Sequence, residues 1–169
     1  MPIRPLLELG NPLLRQISLP VEDVRSSEVA AVIADLWDSL YQFRNEHGWG
    51  RSLAAPLIGE NVRIMVINEG GDEWTLINPR LVGWSRQQAH DWESCVAVGS
   101  LWGLVSRPHQ VTVTALDPQG NEQRYETDGL LARIIQHEID HLDGLTWFDR
   151  DPDLSSICTT NEYRRRYKK

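Results

Sequence analysis

The sequence predicts an α+β fold, with one early helix, a run of mostly antiparallel strands and one late, buried helix. Three observations predict it. Apolar residues recur at helical spacing in two separated stretches, near residues 29–43 and again after Asp128. Between them lie short apolar runs of strand character. Glycine- and proline-containing turn segments separate those runs.

The elements follow in chain order. Ser26 and Ser27 precede apolar positions at Val29, Val32, Ile33, Leu36, Leu40 and Phe43, the pattern of an amphipathic helix with a serine N-cap, and Gly48 would stop it. RSLAAPLIGE (51–60) is small and irregular and reads as a loop. RIMVIN (63–68), WTLIN (74–78) and QVTVTAL (110–116) read as strands, with Gly70-Gly71 and DPQGN (117–121) as turns. From Asp128 the period returns to that of a helix, with Asp128 as N-cap and Gly144 as C-cap. No repeat, low-complexity stretch or long linker divides the chain, so residues 1–169 are expected to form a single domain.

Bulk properties exclude some classes of function. A net charge of -7 argues against a general DNA or RNA binder. The exception is EYRRRYKK (162–169), a basic cluster expected to be a frayed, solvated terminus, with contact to RNA or another acidic surface as the sharper alternative. The opening MPIRPLLELGNPLLRQ lacks the apolar run of a signal peptide or membrane span. Together with only two cysteines, Cys95 and Cys158, this predicts a cytoplasmic protein with reduced thiols and no membrane partner.

QHEIDH (136–141) carries the chemistry. On a helix, residues four apart lie about 40° from each other, so His137 and His141 share a face and can hold one metal ion. Leu130 and Ile134 fall on that same face in the preceding turns and extend it as an apolar wall. Glu138 sits about 100° away, where its carboxylate can reach a water on the metal. A catalytic metal usually keeps three protein ligands and one open position. The candidates for the third are Cys95, His90, His109, Glu93 and Cys158. Cys95, in DWESCVAVGS, would complete a Cys/His/His set; Cys158, in a polar segment beyond the helix, reads as structural or incidental.

These residues resemble the peptide deformylase family, metal hydrolases that remove the formyl group from the N-terminus of new bacterial proteins. The resemblance covers nearly the whole chain, from LGNPLLRQIS (9–18) through SLAAPLIGE, RIMVIN, LINPRL, ESCVAV and RPHQVTVTALDPQGN to QHEIDHLDG. It implies the family's fold, antiparallel sheets around a central helix bearing the histidines. It implies Cys95, His137 and His141 as metal ligands and Glu138 as general acid/base. Ferrous iron is the implied native metal, with zinc, nickel or cobalt able to replace it, since a thiolate with two imidazoles suits any of them. Glu93 is implied to pair with Arg107 and to steady the cysteine loop.

The departures from the family pattern are specific. G-φ-G-φ-A-A-x-Q is here Gly50-Arg51-Ser52-Leu53-Ala54-Ala55-Pro56-Leu57, and E-G-C-φ-S is Glu93-Ser94-Cys95-Val96-Ala97. Leu57 stands where the family's glutamine donates to the developing oxyanion; the remaining protein donor is the Val96 backbone N–H. Loss of one such donor typically costs ~10²–10³ in turnover, unless a nearby hydroxyl, Ser52 or Ser94, supplies it. Gly50, Arg51, Ser52 and Asp91 fall where the family lines the pocket for the first substrate side chain, which is normally methionine. Arg51 and Asp91 are expected to face a polar substrate group, to pair with each other, or, for Arg51, to point to solvent. Trp92 and Trp102 read as packing residues that could border the cleft.

Three functions are therefore expected in turn: deformylation of formylmethionyl peptides; hydrolysis of a polar formylated or acylated small molecule; or a non-enzymatic, metal-binding role. The intact Cys95, His137, Glu138 and His141 set argues against the last. Some family members dock on the ribosome through a longer C-terminal helix; the resemblance leaves that partner possible, and the residues after this chain's metal helix, basic but with little apolar periodicity, do not support it.

Overall fold

The computed structural model describes residues 4–168. Its first helix, α1 (Ser27–His47), begins where Ser26 accepts a hydrogen bond from the Val29 N–H and ends on Gly48 in a left-handed conformation. The serine satisfies one of the orphan donors of the first turn, and glycine meets no Cβ penalty at the exit. Leu36 and Leu40 on its inner face are fully buried.

Two antiparallel sheets follow. The larger has the order β1-β2-β3-β6-β7, comprising β1 (Ser52–Ala54), β2 (Ile64–Glu69), β3 (Asp72–Trp84), β6 (Gln110–Leu116) and β7 (Glu122–Asp128). The smaller runs β4-β5-β8, from β4 (Gln88–Ser94), β5 (Leu101–Pro108) and β8 (Cys158–Thr159). The segment read as a loop, 51–60, is corrected: Ser52–Ala54 pairs with β2 in the register Ser52↔Ile67, and Ala55–Ile58 forms a 3-10 turn. Ser52, Leu53 and Ala54 are too few to show alternation, so only the partner strand makes them a strand. β4, β5 and β7 likewise lack a strand pattern in the sequence. Each mixes charged and apolar residues, because one sheet face packs while the other meets solvent or buried charge.

Helix α2 (Gly129–Leu142) packs against β1, β2 and β7 of the larger sheet and against β5 of the smaller one. Its flank toward the large sheet buries Ile134, Ile135, Ile139 and Leu142 with Met65, Ile67, Leu76 and Val113. A second cluster joins α1, Leu53, Leu57 and Ile64 to Cys95, Val105 and Trp147. Asp128 occupies the N-cap position of α2, but its side chain makes no capping hydrogen bond, and Asp143 rather than Gly144 is the C-cap. Gly144 follows with φ +74°, and a Cβ there would lie 2.7 Å from the Arg15 carbonyl oxygen.

The basic tail corrects another expectation. Residues Thr160–Arg166 form a short helix, α3, instead of a frayed end. Tyr163 stacks on Trp102 with ring centroids 3.9 Å apart, and Tyr167 stacks on Trp92 at 4.5 Å. Lys169 lies outside the described residues, as do Met1, Pro2 and Ile3. Among the described residues, no helix is long and apolar enough to cross a membrane.

Candidate metal centre

Helix α2 presents His137 and His141 toward Cys95 in the loop that leaves β4, while Glu138 reaches Ser52 on β1. Cys95 is the first residue of that loop and the N-cap of the 3-10 turn Val96–Val98, where its sulfur accepts from the Ala97 N–H at 3.4 Å. The ligand atoms of Cys95, His137 and His141 all lie within 4.8 Å of one another, the one such group of metal-binding type found among the described residues. His141 Nε2 stands 3.1 Å from Cys95 Sγ and 3.3 Å from His137 Nε2. His90, His109, Glu93 and Cys158 do not belong to this group.

The donor set fits a metal ion. Two imidazole nitrogens facing each other at 3.3 Å need a proton or a cation between them. Nitrogens bound at 2.0–2.1 Å in tetrahedral geometry sit about 3.3 Å apart, which is the spacing seen. Burial pushes the Cys95 thiol up, but the neighbouring His141 and His137 imidazoles outweigh this and bring its pKa from 9.0 down to about 6. The thiolate is the ligand form. In the metal-free protein His137 is held well above its ordinary value: burial opposes the charge, and the Cys95 sulfur and Glu93 carboxylate overcome it.

Beneath His137 lies a buried charge network. The Glu93 carboxylate accepts from Arg107 Nε at 2.6 Å and Nη2 at 2.9 Å, from Arg133 Nη1 at 2.6 Å, and faces His137 Nδ1 at 3.0 Å. Burial raises the Glu93 pKa, and His137 and the Arg107 guanidinium outweigh it, holding the carboxyl well below the usual carboxylate range. With Nδ1 donating to Glu93, Nε2 is the ring nitrogen of His137 that faces the cluster. Arg107 also donates to Asp140 at 2.8 Å, and Arg150 donates to the same carboxylate. Sequence reading anticipated the Glu93–Arg107 pair but missed Arg133 and Arg150. Arg133 precedes His137 by four residues on α2, the one signal that could have pointed to it.

Other predicted site residues lie as follows. Glu138 is 2% exposed; its Oε1 accepts from the Ser52 hydroxyl at 2.6 Å, and its Oε2 is buried with no hydrogen-bond partner. Ser94 is not free as a donor, since its hydroxyl gives its proton to the Leu101 carbonyl at 2.8 Å. Val96 is half-buried, and its N–H, in the first position of the 3-10 turn, has no intrahelical acceptor. Leu57 is 1% exposed and packs in the apolar cluster that also holds Cys95 and Ala97.

The pocket positions lie as follows. Arg51 does not pair with Asp91; its side chain is 56% exposed, in line with the solvent-pointing alternative, and its guanidinium bonds Glu69 at 2.6 Å on the neighbouring strand β2. Asp91 is exposed and accepts from the Trp92 N–H. Ile134 is buried, and Leu130, one turn earlier on α2, is 42% exposed. Gly50 has φ +117°, and a Cβ there would meet the Phe43 ring at 2.9 Å.

A helix carrying HExxH, held by antiparallel sheets and facing a buried thiol, defines the class of metal-dependent hydrolases. Comparison with known proteins narrows the class. The family model described as polypeptide deformylase matches residues 3–156, so the chain belongs to the polypeptide deformylase family. Peptide deformylase 2 of Clostridium perfringens is 38% identical over 159 residues, covering 93% of this chain and 98% of that protein. The peptide deformylase of Thermomicrobium roseum is 41% identical over 166 residues, covering 93% and 90%. Among solved structures, a peptide deformylase from Synechococcus elongatus in complex with actinonin superposes with a TM-score of 0.84 at 32% identity, over 97% of this chain and 85% of that one. One from Legionella pneumophila gives 0.82 at 33%, over 96% and 92%.

Proposed function

We propose that this chain hydrolyses the formyl–amide bond of N-formylmethionyl peptides, with Cys95, His137 and His141 as metal ligands and Glu138 as general acid/base. One observation carries the reading: three ligand atoms converge, and the residue next to His137 in the chain is a buried glutamate with one unpartnered oxygen. Ferrous iron is the proposed native ion, with zinc, nickel or cobalt as substitutes, because thiolate and imidazole donors accept all of them. Cys95, His137 and His141 would hold a divalent ion, which would supply Lewis-acid chemistry: a more acidic water and a polarised formyl oxygen. Glu138 Oε2 takes a proton from the attacking water as its oxygen bonds to the formyl carbon. The Val96 N–H donates to the oxygen of the formyl group as charge builds on it. Glu138 then gives that proton to the amide nitrogen as the formyl C–N bond breaks, and formate and the free peptide amine result. Glu93, facing His137 Nδ1, would hold the ring so that Nε2 is the nitrogen left to bind an ion.

The side chain of Leu57 takes no part, since it is sealed in the core. The peptide reading is favoured over a polar small molecule because Arg51, the residue that suggested a polar ligand, is engaged by Glu69. The reduced thiol ligand suits the cytoplasm, the proposed compartment. The test is formate release from formyl-Met-Ala-Ser by anaerobically purified, metal-assayed protein, beside Glu138→Gln. The variant should bind metal normally and lose essentially all turnover; near-full turnover by Glu138→Gln would remove Glu138 from this role.

A further inference from the structure

Glu138 is held by a hydroxyl that the family pattern lacks. Ser52 Oγ donates to Glu138 Oε1 at 2.6 Å, from a residue 86 positions away in the chain. The terminal torsion of a glutamate is broad and nearly two-fold, so an unrestrained carboxylate presents either oxygen. Here one oxygen is engaged and the other, Oε2, is buried and unpartnered. A hydrogen bond to a charged group in a buried setting is among the stronger ones, and its partner must itself be fixed to be of use. Ser52 is fixed. It pairs in register with Ile67, the preceding Arg51 carbonyl accepts from the Asn68 N–H at 2.7 Å, and the following Leu53 and Ala54 are fully buried. Helix α2 packs directly on this strand. Ser94, the other serine near the cluster, has its hydroxyl turned to the Leu101 carbonyl, so Ser52 alone of the two reaches the carboxylate.

We propose that Ser52 is a positioning residue for the hydrolysis. Its hydroxyl anchors Glu138 Oε1 and thereby makes Oε2 the oxygen that takes the proton from water and delivers it to the leaving amine. The inference rests on the reading of Glu138 as general acid/base. It also gives the departure from glycine at this position a chemical purpose, since glycine offers no hydroxyl.

The experiment compares Ser52→Thr with Ser52→Val, two β-branched side chains of nearly equal volume that differ in the hydroxyl. Each is assayed for formate release from formyl-Met-Ala-Ser, metal content and melting temperature, with Ser52→Ala as a smaller replacement in case Val does not fold. Ser52→Val should lose roughly 10- to 100-fold in kcat, with KM within about twofold and full metal content, as expected for a lost charge-assisted hydrogen bond. Ser52→Thr should stay within roughly threefold of the parent. In a Glu138→Asp background, whose shorter side chain withdraws from Ser52, adding Ser52→Val should cost little more. Equal activity of the Val and Thr variants overturns the proposal, and so does a Ser52→Val loss that is undiminished in the Glu138→Asp background. Full turnover by Glu138→Gln would instead overturn the underlying acid/base assignment, so the two failures are told apart.

Discussion

Glu93→Gln removes one buried negative charge that serves three partners at once. In the parent, Arg107 and Arg133 both point at this carboxylate with side chains only 3% and 7% exposed, and His137 Nδ1 faces it at 3.0 Å. An amide keeps one acceptor oxygen and turns an NH₂ toward at least one cationic or donating neighbour. Breaking a buried ion pair by removing one partner costs about 3–5 kcal/mol. The lower end applies here, because Arg107 keeps Asp140 and Arg133 keeps the carbonyls of Val105 and Ala89. For a domain of this size, about 3 kcal/mol lowers Tm by on the order of 10 °C. Loss of the His137 acceptor should also weaken metal binding by roughly 10- to 100-fold. Thermal unfolding of the metal-free protein gives the first number, and chelator competition on the loaded protein gives the second. A variant that melts within about 2 °C of the parent, and holds metal within about threefold, would refute the claim that this carboxylate is the keystone of the network.

The remaining predictions concern charge, packing and backbone. Because the Glu93 pKa is depressed from 4.5, its stabilisation is fully present above about pH 4.5 and is lost as pH falls toward its folded value; acid unfolding curves of parent and Glu93→Gln should converge as pH drops below 4.5. The Cys95 thiol, brought down to about 6, should titrate near that pH by thiolate absorbance in metal-free protein, and Cys95→Ser should abolish the signal. A midpoint near 9 would mean the imidazoles do not stabilise the thiolate. Leu57→Gln should destabilise by about 1–3 kcal/mol in denaturant titrations, since its amide would enter an apolar cluster without a partner. Gly144→Ala should cost more than about 1 kcal/mol, because positive φ and the Arg15 carbonyl both oppose a Cβ.

Much of the site was legible because it is local. Helical periodicity alone puts His137 and His141 on one face, and the structure brings their Nε2 atoms to 3.3 Å. The N-cap of α1, its glycine stop and strands β2 and β6 followed from equally local rules. What escaped was set by partners distant in sequence. Ser52–Ala54 looked like a loop because its only reason to be extended is β2 beside it. Arg51 looked like a pocket residue because nothing nearby in the chain shows that Glu69 lies across the ladder within reach. The tail looked frayed because the aromatic faces that receive Tyr163 and Tyr167 belong to strands β5 and β4.

By itself, the sequence determined the ligand pair, the candidate base and, through its resemblance, the cysteine that joins them. Those depend on the 3.6-residue repeat and on the chemistry of the side chains, which travel with the chain. Only the tertiary structure decided which oxygen of Glu138 is free, that Arg133 shares Glu93 with Arg107, and that Leu57 is sealed in the core. The physical reason is that burial and hydrogen-bond satisfaction are properties of neighbours, and these neighbours are brought in from 14 to 86 residues away along the chain.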